Sequence, residues 1–132
     1  MRIKKEMVAA LVADVSKSMS DPDFSAGLVG AFVQVQTPVA QFLTAHESEL
    51  GGAEAVINVV FHAALVSQCF ARAGGKPRTL SFEDLDQAAM GEPLAELGKA
   101  QPSLAELIIS NVEHEEARRL LALIALAMDR TA

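Results

Sequence analysis

The sequence predicts an all-α fold: a compact bundle of about six to eight helices, some of them short, around a central hydrophobic helix at 53–73. Three observations carry this. Apolar residues make up 51% of the chain, yet it holds no Trp and no Tyr. Strand-favouring residues are therefore scarce, whereas the abundant Ala and Leu favour helix. Apolar positions recur three and four residues apart. Gly and Pro punctuate the chain at intervals suited to short helices.

Taken in order, the helices are expected at roughly 3–19, 22–36, 38–49, 53–73, 82–90, 93–99, 103–110 and 113–129. In the first, Met7, Leu11, Val15 and Met19 recur at i+4. Arg2, Lys4 and Lys5 before this run resemble a basic leader, but Glu6 and Asp14 bracket it and no small-residue cleavage site follows, which favours a helix. Asp21-Pro22 reads as an N-cap followed by Pro at the first helical position, and Thr37-Pro38 repeats that signature. Within the second helix, Phe24, Leu28, Phe32 and Val35 line one face. Residues 29–36 are ambiguous, because Phe32 to Gln36 alternates like a strand; no partner strand is visible, so helix is favoured.

Gly51-Gly52 marks a turn and Gly74-Gly75 a helix stop. Ser81 with Asp84, Ser103 with Glu106 and Ser110 with Glu113 each have capping-box spacing, the last implying a break near Asn111. The segment from Gly74 to Thr79 reads as the most mobile loop. Gly27 and Gly30 are too isolated for a nucleotide fingerprint and suggest close approach of another helix. Residues 1–132 form a single helical domain, a length that leaves little room for two.

Net charge is −6. An acidic balance repels phosphate backbones and anionic membranes, and Arg2, Lys4 and Lys5, Arg72, Lys76 and Arg78, and Arg118 and Arg119 are scattered rather than gathered among aromatics. Neither nucleic acid nor membrane is expected as a partner. The best candidate span, between Ala53 and Ala73, carries Glu54, Asn58, His62 and Gln68, and its apolar pieces fall short of the ~20 residues a bilayer needs. A cytoplasmic location is expected. The single cysteine, Cys69, rules out an internal disulfide.

Two helices concentrate the functional expectations. At 53–73 the polar residues Glu54, Asn58, His62, Gln68 and Arg72 fall within an arc of about 120°. Asn58, His62 and Cys69 lie within about 40° of one another, a candidate ligand-binding set. Cys69 stands roughly 10 Å along the axis from His62, too far for a direct Cys–His pair. A metal there would need a ligand from elsewhere, with His46 or His114 as candidates. Glu113-His114-Glu115-Glu116 is acid-rich, but adjacent positions point in different directions, and a solvated helix start explains them. His46-Glu47-Ser48-Glu49 reads as a polar helix end. No catalytic residue, metal site or cofactor is assigned.

The final helix has no polar residue from Leu120 to Met128. A helix apolar on every side seeks burial on every side. In so small a chain this suggests a homodimer, with Leu120, Leu121, Ile124 and Met128 as interface. The expected function is a non-catalytic protein-interaction or oligomerisation module, acidic, with a protein partner. The alternative is a small-molecule or metal-binding bundle with its pocket beside Asn58, His62 and Cys69.

Overall fold

A computed structural model describes residues 1–132 and contains nine helices and no strand. They are α1 Lys5–Ser18, α2 Phe24–Val35, α3 Thr37–Ala45, α4 Glu47–Leu50, α5 Ala53–Arg72, α6 Phe82–Ala89, α7 Pro93–Ala100, α8 Pro102–Asn111 and α9 Glu115–Thr131. The all-α expectation holds. The ambiguous stretch at 29–36 is helix up to Val35. The helix expected at 38–49 is split at His46, which adds the short α4.

Two long helices organise the bundle. α5 packs against α1, α2, α3 and α4, while α9 packs against α4, α6, α7 and α8; the two halves join chiefly where α5 meets α9, with smaller contacts of α1 on α8 and α3 on α6. The central position expected for α5 is thus shared. A single core cluster of 34 buried residues runs through both halves.

α9 is where the structure departs furthest from expectation. Every residue from Leu120 to Met128 is buried within this one chain, and Leu120, Ile124 and Met128 have no exposed surface at all. Leu120, Leu121, Ile124 and Met128 are therefore interior residues, not the interface assigned to them. The reason is geometric: five helices surround α9, and Ala122, Ala125 and Ala127 let them approach closely. The chain exposes 6953 Å², close to the roughly 6,700 Å² that surface scaling gives for a monomer of this mass.

Helix boundaries follow local chemistry, though not always the expected residue. Ser81 and Asp84 form a reciprocal capping box: Asp84 N–H donates to Ser81 Oγ at 3.1 Å and Ser81 N–H to Asp84 Oδ2 at 2.8 Å. Gly51, Gly52 and Gly74 have positive φ, as the expected turns require, and so does Gly91 ahead of α7. Asp21 instead holds a turn, accepting from Asp23 N–H at 3.0 Å, and α2 starts at Phe24. Ser103 lies inside α8, where its hydroxyl donates to the Ile3 carbonyl at 2.6 Å. α8 ends at Asn111, at the expected break, but Ser110 lies inside it and α9 is capped by His114, whose Nδ1 accepts from Ala117 N–H at 3.2 Å.

Two buried glutamines do what no sequence pattern announces. Gln36 sits where α2 and α3 meet at 102°. Its Oε1 accepts from Leu80 N–H at 2.8 Å and its Nε2 donates to the Arg78 carbonyl at 3.0 Å. Thr79 Oγ1 adds a bond to the Val35 carbonyl at 2.9 Å. Gln101 sits between α7 and α8 and grips the N-terminal segment in the same way, accepting from Ile3 N–H at 2.9 Å and donating to the Met1 carbonyl at 2.6 Å and Asp129 Oδ1 at 2.7 Å. Each glutamine satisfies the backbone of an extended segment much as a neighbouring strand would. The loop from Gly74 to Thr79 is held at its far end, at Arg78 and Thr79, with Arg78 also paired to Asp84 at 2.6 Å.

Candidate functional site

The polar arc of α5 faces outward as expected: Glu54, Asn58, Gln68 and Arg72 are exposed and His62 is half-buried. The structure does not bring Cys69 to that surface. Cys69 shares the angular position of Asn58 and His62 but has no exposed surface. α1 lies alongside this end of α5, where Asp14 pairs with Arg72 at 2.8 Å; Gln68 and Arg72 stay exposed there while Cys69, near the edge of the arc, is buried. Burial pushes the Cys69 thiol up to about 11, with Arg72 opposing weakly. Such a thiol is not a nucleophile at neutral pH.

Around the open half of the arc lies a groove of about 670 Å³ between α2 and α5, closed at one end by the last turn of α1. Its apolar wall is Met19, Ala26, Val29, Ile57 and Phe61; Ser25, Glu54, Asn58 and His62 supply the polar groups. Two smaller depressions adjoin it. One, of about 170 Å³, shares Met19, Phe61 and His62 and extends to Asn111 of α8. The other, of about 390 Å³, shares Asn58 and reaches Glu113 and His114 in the loop before α9. Asn58 and His62 therefore stand on a ridge inside one broad apolar basin.

The large apolar residues of this basin escape the sequence pattern, although a signal was there. On a 100° projection Phe61 falls inside the arc of polar residues, and Ile57 lies about 20° outside it. An aromatic and a branched aliphatic on the polar side of an amphipathic helix mark a face that is neither core nor ordinary surface. Ile57 is 58% exposed and Met19 is 50% exposed. α2 shows the same mismatch: Ser25 and Gln34 are its only polar side chains, yet Phe32 is its only buried residue. Gly27 and Gly30 admit no neighbouring helix, contrary to expectation; a Cβ on either would meet open space. Gly30 keeps the groove wall low.

The polar groups on the ridge are partly committed. His62 Nδ1–H donates to the Asn58 backbone carbonyl at 2.8 Å, which leaves Nε2 and the Asn58 side chain without a hydrogen-bond partner. His46 makes the same backward bond to the Phe42 carbonyl at 2.8 Å. Glu116 is held by Arg119 at 2.6 Å, and this bond keeps its carboxyl below the usual range. No group of three or more His, Cys, Asp or Glu side chains converges where a metal ion could be held. His46 and His114 do not join His62 in such a group. The basin offers an apolar floor, an acid at each side and one imidazole nitrogen, an arrangement suited to recognition. No known protein-family model, no curated protein and no solved structure matches this chain.

Proposed function

We propose that the protein is a non-catalytic interaction module whose α2–α5 basin receives an apolar segment of a protein partner. The observation that carries this reading is one groove whose wall gathers the exposed Met19 and Ile57 with the half-buried Val29 and Phe61. Exposed apolar surface gathered in one concavity marks a binding site, whereas scattered apolar residues do not. The groove is open along one side and continuous with two neighbours, a shape that suits a segment of polypeptide better than a small enclosed ligand.

Nile red, a neutral apolar dye, tests the site without requiring its natural occupant. The native protein should enhance its fluorescence, and both Ile57→Asp and Gly30→Leu should remove that enhancement. The first puts a charge in the groove; the second fills it. Equal dye binding by the native protein and both variants would place the apolar site elsewhere and end this reading.

A further inference from the structure

The charge around the basin identifies its occupant more closely. Between Lys17 and Arg72 the chain has no lysine or arginine, while Asp21, Asp23, Glu47, Glu49 and Glu54 all fall there. That stretch contains α2, α3, α4 and nearly all of α5, and it carries most of the net charge of −6. No lysine or arginine lines the groove or either adjoining depression, whereas Glu54 lines the groove and Glu113 the neighbour. The closest cations are committed or peripheral. Arg118 donates to the Val112 and Ile109 carbonyls, and Lys17 is exposed two residues before Met19.

Building on the interaction-module reading, we propose that the partner segment is a cationic amphipathic helix, its apolar face in the groove and its Lys and Arg flanks against Glu54, Glu113 and the acidic turn, Asp21 and Asp23, that precedes α2. The dimensions fit. Along α5 the lining runs from Glu54 to His62, about 12 Å, which matches apolar anchors at i, i+4 and i+7 of a docked helix. The same charge works against the other occupants. A second copy would set two acidic, uncompensated faces together, and an anionic membrane or nucleic acid would meet the same repulsion.

The test is a titration of the whole protein, followed by amide NMR shifts, with three designed helical peptides of about 14 residues. They share one leucine pattern and differ in carrying Lys, Ser or Glu at the polar positions. The Leu–Lys helix should shift resonances of α2 and of residues 54–62, and bind at least about tenfold tighter than the Leu–Glu helix. That preference should shrink as salt is raised. Paired Glu54→Lys and Glu113→Lys changes should weaken Leu–Lys binding by about tenfold. Ile57→Asp should abolish it, although it adds a negative charge that would strengthen a merely electrostatic association.

Equal binding of all three peptides at the groove would overturn the charge inference and leave the groove reading intact. Leu–Lys shifts scattered over the surface and indifferent to Ile57→Asp would overturn it too. So would a dimer, seen by sedimentation, that Ile57→Asp disperses, because the occupant would then be a second copy. Failure of the groove reading itself is seen separately, in the Nile red experiment.

Discussion

The Leu120–Met128 run of α9 and helix α2 are both almost wholly apolar, and they meet opposite fates. From Leu120 to Met128 α9 has no polar side chain and almost no free surface. α2 has only Ser25 and Gln34 as polar side chains, yet buries only Phe32. The difference is in how many neighbours each has. α9 lies among five helices, whereas α2 has α5 beneath it, α3 at its end and open space beyond Gly27 and Gly30. Apolar composition states how much burial a helix seeks; only the fold decides which helix receives it.

Substitutions sharpen this contrast, beginning with the interior. Leu121→Ala should cost about 3–4 kcal/mol in urea unfolding, through lost transfer energy and an unrelaxed cavity. A cost under about 1 kcal/mol would mean α9 is loosely held. Gln101→Ala should follow at about 2–3 kcal/mol, since it strands the Ile3 N–H and the Met1 carbonyl. Its effect should appear first as faster amide exchange at residues 1–5.

Asp84→Asn should cost about 1 kcal/mol by weakening the cap of α6 and the tie to Arg78. This contribution depends on pH in one direction. The Arg78 hydrogen bond, aided by the Ser81 N–H, holds the Asp84 carboxyl down at about 2. Its ionised form therefore stabilises the fold fully above the ordinary carboxylate range, and this stabilisation disappears as pH falls toward 2. The gap between wild-type and Asp84→Asn unfolding midpoints should close over that window. A gap constant from pH 6 to pH 2 would show that the pairing is absent in solution.

The smallest effect is expected at the basin. Ile57→Asp should change stability by about 0.5 kcal/mol or less, because Ile57 is already in water. Cys69 supplies a check on the buried side of the same helix. The native protein should not react with Ellman's reagent at pH 8, and full reaction should appear on unfolding.

Much of the architecture was legible in the residues. Positive-φ glycines and the Ser81–Asp84 box fixed boundaries, because those signals are local. Ser103 and Ser110 misled because spacing alone cannot say what else competes for a hydroxyl or a helix end. The Ile3 carbonyl takes Ser103, and the His114 ring takes the cap of α9. Gln36 and Gln101 were invisible for a related reason: a glutamine at a helix junction reads as solvated until a distant segment arrives to meet it. At the site, Asn58 and His62 were legible from their arc. Cys69 was misplaced because a projection has no information about where α1 crosses. Ile57 and Phe61 were passed over as core by composition, although their angle set them apart.

Leu121→Asp separates a subunit interior from a subunit interface most directly, measured by circular dichroism together with sedimentation. If α9 is the interior of a self-sufficient chain, the variant has no folded form at 25 °C, since an unpaired charge is placed where no solvent reaches. A folded, helical monomer obtained from that variant would show that α9 had been covered by another molecule, and would contradict the account.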